Sequence, residues 1–118
     1  MNIEEFREYC LQKPLVTEEF PFDESTLVFK VTGKMFALTD LEGDFTINLK
    51  CEPELAMELR EKYMCVLPGF HMNKKHWNTI VVDGSVADNI LREWIDHSYN
   101  KVVEGLPKKI RDKISDNE

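Results

Sequence analysis

Residues 68–79, PGFHMNKKHWNT, bring together His71, Asn73, Lys74, Lys75, His76, Trp77 and Asn78, and every one of these side chains could do chemistry. Histidines suggest a metal ion first. His71 and His76 stand five residues apart and His97 is remote. A zinc site needs three or four converging ligands, so no metal and no cofactor is expected. Cys65 can be paired on paper with His71 or His76, but its context, MCVLP, is apolar, and a thiol there stays protonated. His97 and Ser98 are neighbours on a helix and point about 100° apart, so they do not face each other as base and nucleophile. The carboxylate pairs Glu18-Glu19 and Asp40…Asp44 fall in apparent loops that face solvent. No GxSxG, GxGxxG or GxxxxGK[ST] string occurs. The expectation is a protein without a catalytic residue.

Nucleic acid is the better candidate ligand. Lys74, Lys75 and His76 set cations beside the aromatic Trp77, a combination that grips phosphates and stacks on a base. Asn73 and Asn78 add donors and acceptors. Lys30, Lys34 and Lys50 extend a basic strip along neighbouring strands. The competing reading makes Trp77 a core residue and the lysines solvated turn residues.

The elements that must position these residues can be read from periodicity. Ile3, Phe6, Tyr9 and Cys10 mark one helical face over residues 2–12, with Asn2 as N-cap and Pro14 as terminator. LVTEEFPFDEST reads as a loop holding a buried Phe20-Pro21-Phe22 element. TLVFKV, KMFALTD and FTINLK form a three-stranded meander with turns at 31–34 and 41–44. Pro53 opens a helix over 53–63. A short strand in MCVLP precedes the featured stretch, and WNTIVVDG is a strand. Ser85 is the expected cap of a helix over 86–104, with Ile90, Leu91, Trp94, Ile95, Ser98 and Val102 facing inward. A short basic helix follows at about 107–115. The order α-β-β-β-α-(β)-β-α-α describes one α+β domain over residues 1–118, with a mostly antiparallel sheet.

Composition sets the outer bounds. With 42% hydrophobic and 31% charged residues the chain is not a disordered type. No apolar run approaches the ~20 residues of a membrane span. The N-terminus is acidic and unlike a signal peptide, so a cytoplasmic location is expected. Three cysteines without a CxxC read as small buried hydrophobes. The net charge is −7, and residues 1–25 hold seven acids against two bases. That acidity weakens sequence-independent nucleic-acid binding without excluding a basic face.

The strings PFDESTLVFKVTGKMFALTD, INLKC.PE...ELREKY, PGFHMNKKHWNTI and IDHSYNKVV..L resemble those of the MmcQ/YjbR-like proteins, over about residues 2–114. Members commonly carry Pro-Phe-Gly where this chain has Pro21-Phe22-Asp23. The resemblance implies a compact α-β(3)-α-β(2)-α fold, similar to secretion-chaperone-like and CyaY-like proteins. It also implies the double-wing DNA-binding label carried by the family. The motif positions carried over are Lys30, Lys34, His71, Asn73, Lys74, His76, Trp77 and Ser98. The partner implied is DNA; the alternative, suggested by the chaperone-like fold, is a peptide or partner subunit. The chain is expected to be a monomer or weak homodimer.

Overall fold

A computed structural model describes residues 1–116. Helix α1 spans Ile3–Leu11. Its start is a capping box: Glu5 N–H donates to Asn2 Oδ1 at 2.8 Å, and Asn2 N–H donates to Glu5 Oε1 at 3.1 Å. Four strands follow: β1 (Val16–Glu19), β2 (Thr26–Val31), β3 (Lys34–Asp40) and β4 (Thr46–Lys50). Then come α2 (Pro53–Lys62), β5 (Val66–Pro68), β6 (Trp77–Val81), α3 (Asp88–Glu104) and α4 (Lys108–Asp116). The six strands form one sheet in the order β1-β2-β3-β4-β6-β5, antiparallel at every pairing. This is the expected α+β architecture with one additional edge strand.

All four helices contribute to a single core on one face of the sheet. The fully buried Phe6 of α1 meets Phe29 of β2 edge to face, with ring centroids 5.5 Å apart. Each such side chain stabilises by about 1.5–3 kcal/mol through burial. A bulge between Phe29 and Lys30 shifts the β2–β3 register. Phe36 falls at that shift, is fully buried, and packs edge to face on Tyr99 of α3 at 5.3 Å. The turn between β2 and β3 uses Thr32 (φ 46°) and Gly33 (φ 85°), the left-handed pair that tight hairpins require.

Three local expectations are corrected. The segment read as a loop after Pro14 contains β1, which pairs Val16 with Val31 and Glu19 with Val28. Phe20 and Phe22 are exposed rather than buried, at 49% and 63%. Ser85 does not cap α3. Its hydroxyl donates to Asp83 at 2.5 Å, and the helix begins after Ala87 with no side-chain cap. Serine and aspartate two residues apart close their own turn more readily than they reach forward.

Candidate binding groove on the uncovered sheet face

The opposite face of the sheet carries no helix among the described residues. Strand alternation and the observed register arrange its side chains in three rows. At one end Thr26 lies opposite Asp40, and Thr46 opposite Val81. The middle row runs Val28, Leu38, Asn48, Thr79, Leu67 across β2, β3, β4, β6 and β5. At the other end Lys30 lies opposite Met35, and Lys50 opposite Trp77. Acid and hydroxyl groups therefore occupy one end, amide and apolar groups the middle, and cations the other end.

A groove of about 930 Å³ lies over this face. Its floor is Leu38, Asn48 and Thr79, with Thr26, Asp40 and Thr46 at the acidic end. Phe22 and Asp23 form one rim; Leu67, Phe70 and His71 form the other. Phe70 is 68% exposed and stacks at a tilt on His71, centroids 4.2 Å apart. The Asp23 carboxyl is held below its usual range by backbone N–H donation from Thr26 and Ser25. Asn48 is 9% exposed. Phe70 N–H donates to Thr79 Oγ1 at 2.8 Å, and the Thr79 hydroxyl donates in turn to Asn48 Oδ1. The Asn48 amide nitrogen makes no hydrogen bond within the described residues.

The structure separates the residues of PGFHMNKKHWNT. Trp77 is buried and packs with Val28, Leu38, Met35 and Met72 under the cationic end. His71 sits at φ 61°, a left-handed residue at the rim. Asn73 Oδ1 accepts from Lys75 N–H at 2.9 Å and closes a turn. His76 contributes its backbone: its carbonyl accepts from Cys51 N–H at 2.7 Å. Lys74 Nζ donates to the Gly69 carbonyl at 3.0 Å. Lys30 is ion-paired with Glu19. Lys34, Lys50 and Lys75 have no ion-pair partner among the described residues. The register brings Lys30, Lys34 and Lys50 to the same end of the sheet as Trp77, with Lys74 and Lys75 just before it in the chain.

A family model described as YjbR matches residues 11–101. The chain belongs to the YjbR family. Uncharacterized protein YbdF of Escherichia coli O157:H7 is 37% identical over 106 residues, covering 89% of this chain and 87% of that protein. Uncharacterized protein YjbR of Escherichia coli K12 is 36% identical over 112 residues, covering 94% and 95%. The crystal structure of Deinococcus radiodurans protein DR2400 has a TM-score of 0.90 at 39% identity, covering 97% of this chain and 88% of that one. A Pseudomonas syringae protein has a TM-score of 0.73 at 28% identity, covering 86% and 98%.

In this YjbR-family chain the DHSY string fastens α3 to the rest of the fold. Asp96 accepts from the Tyr9 hydroxyl at 2.7 Å and pairs with Lys13. His97 Nε2 accepts from Glu52 N–H at 3.1 Å, at the N-cap of α2. Ser98 Oγ accepts from Lys50 N–H at 2.8 Å and donates to the Phe36 carbonyl. The Tyr99 hydroxyl donates to the Pro14 carbonyl at 2.7 Å. His97 and Ser98 thus turn to different partners. Burial, with Lys101 nearby, holds the His97 pKa below 6.5 against the opposing pull of Glu104 and Glu52.

Sequence reasoning missed Arg60. It reaches from α2 to the start of β6, donating to Asn78 Oδ1 at 2.6 Å, to the Trp77 carbonyl at 3.2 Å and to the Lys74 carbonyl. Its signal was present as the arginine of ELREKY. Asn78, expected to offer hydrogen bonds to a ligand, is buried beneath α2 and donates to the Ala56 carbonyl at 3.3 Å. The three cysteines are buried, and burial pushes the Cys51 thiol up to about 11. No group of three histidine, cysteine or acidic side chains suited to a metal occurs among the described residues.

Proposed function

We propose that this YjbR-family protein is a non-enzymatic interaction module that docks a segment of a partner protein in the groove on its uncovered sheet face. The observation that carries this reading is the pair of exposed aromatic rims, Phe22 and Phe70, flanking a groove of about 930 Å³. Exposed apolar groups lining a concavity mark interaction sites more often than isolated surface hydrophobes do. The floor is mixed, apolar at Leu38 and polar at Asn48 and Thr79, which suits a segment carrying both side chains and backbone groups.

A second reading, DNA bound at the cationic end, is favoured by Lys50 opposite Trp77 and Lys75 two residues before it, with Lys34 at the same end of the sheet. Several features weigh against it as the main activity. Lys30 is spent on Glu19 and Lys74 on Gly69. Trp77 is buried rather than offered for stacking. Asp23 and Asp40 line the groove, and the chain carries −7 overall. Phosphate binding of this kind weakens steeply with salt.

One experiment separates the two. A photo-crosslinking residue placed at Phe70 in cells is compared with one at Gln12, an exposed position at the end of α1. A discrete adduct at position 70, absent at 12, that survives nuclease and is destroyed by protease supports partner docking. A nuclease-sensitive adduct supports DNA. No adduct specific to position 70 overturns the groove reading.

A further inference from the structure

Resting on the docking reading, the charge layout and an unpartnered amide specify what kind of segment the groove takes. The Asn48 side chain is nine-tenths buried in the middle row and lines the groove. Its oxygen is occupied by the Thr79 hydroxyl, which itself accepts from Phe70 N–H. That directional chain leaves the Asn48 NH₂ as a donor pair with no acceptor among the described residues. A polar group this deep loses much of its access to water, so an acceptor oxygen delivered by a ligand is favoured there. Among the described residues no buried polar side-chain atom is sealed off without a partner, so the Asn48 nitrogen keeps some exposure, through the groove it lines.

One end of the same groove is acidic. Asp40 Oδ1 accepts from Glu42 N–H at 2.9 Å, and its other oxygen has no partner among the described residues. Asp23 stands on the adjacent rim with its carboxyl held in the ionised form by the turn N–H groups. Asp40 lies two residues along β3 from Leu38, the cross-strand partner of Asn48. At ordinary strand spacing that sets the carboxylate and the free amide roughly 8 Å apart. This is about the span from a backbone carbonyl to the head of an extended Lys or Arg side chain. Between the two rims, Leu38, Phe22 and Phe70 offer apolar surface for a neighbouring side chain.

We infer that the groove recognises a short peptide segment carrying a basic residue, its cationic head on Asp40, a backbone carbonyl on the Asn48 NH₂, and an adjacent apolar side chain between Phe22 and Phe70. A carbonyl accepts from this amide without bringing a charge into the buried row. The cation meets carboxylates at the exposed end, where desolvation is small.

The test screens a displayed library of random short peptides against the intact protein, with single-stranded and duplex DNA as competing probes. The expected selection is enriched in Lys or Arg next to an aromatic or large aliphatic residue. Binding of a selected peptide then weakens on the order of tenfold with Asp40→Asn and more with Asp40→Lys. Asp40 is exposed, so these variants leave the fold intact. Glu61→Gln, on an exposed part of α2, leaves binding unchanged. In NMR titrations the Asn48 side-chain NH₂ signals shift on peptide addition, a readout that needs no variant. Selected peptides without a basic preference, equal affinity for Asp40→Lys, or unmoved Asn48 signals overturn this inference. If those same peptides still lose affinity with Phe70→Ala, the docking reading survives it. A library that yields no binder, binding indifferent to Phe22→Ala and Phe70→Ala, or preferential capture of DNA overturns both.

Discussion

Single side chains join the parts of this fold, and each joint can be tested. Arg60 satisfies three acceptors around the start of β6. Arg60→Ala leaves the buried Asn78 short of a charged donor and is expected to lower stability by about 2–3 kcal/mol in urea titrations. Arg60→Lys should recover little of this, because one ammonium cannot reproduce a planar fork reaching several acceptors. Ser98→Ala removes one acceptor and one donor inside the core and should cost about 1–3 kcal/mol. His97 accepts a backbone N–H through Nε2 and must be neutral to do so. Its pKa is depressed in the folded state, so its contribution is complete above about 6.5. It is lost as pH falls from there toward the lower folded value. Thermal melts between neutral and mildly acidic pH should show this decline, and His97→Gln should flatten it. Sequence indicated that DHSY belongs together, but residue type alone could not tell a tie from a reactive group. Ser98 is the clear instance: a hydroxyl beside a histidine that faces a carbonyl instead.

At the scale of elements, periodic segments were legible and irregular ones were not. The helical stripe of α1, the three-strand meander, and the alternation of FTINLK all hold in the structure, since each is set by burial on one face. Tyr99 also turns inward on α3, beside the Ser98 that sequence had placed there. β1 escaped notice because it is four residues long, charged, and an edge strand paired on one side only. The 68–76 segment was opaque because its form depends on tertiary neighbours: Arg60 on one side, Trp77 and Thr79 on the other. Gly69 shows how closely it is held. A Cβ there would lie 2.8 Å from Trp77 Cβ and 2.9 Å from the Trp77 carbonyl. Gly69→Ala is expected to destabilise by about 1–3 kcal/mol. Amide exchange that speeds up at Phe70 and Met72 more than in the strands would locate the damage.

Across the whole molecule, charge is organised by the two ends of one sheet face rather than by chain segment. Sequence counting placed the acidity at the N-terminus, yet Glu19 comes to rest on Lys30, and the acids facing the groove come from the turn at Asp23 and the end of β3 at Asp40. No count along the chain could show that, because strand register decides which charges become neighbours. Raising salt from low to physiological levels should therefore leave folding stability nearly unchanged while weakening any ligand held at either end. The sheet also separates two packing environments: Val28, Leu38 and Trp77 form a cluster apart from the core that unites the helices. The two clusters share no residue among those described, so Phe70→Ala and Ser98→Ala should combine almost additively, within about 0.3–0.5 kcal/mol. A lineage carrying this fold can then vary the groove one residue at a time without renegotiating its core, and ligand preference becomes free to diverge while the scaffold stays fixed.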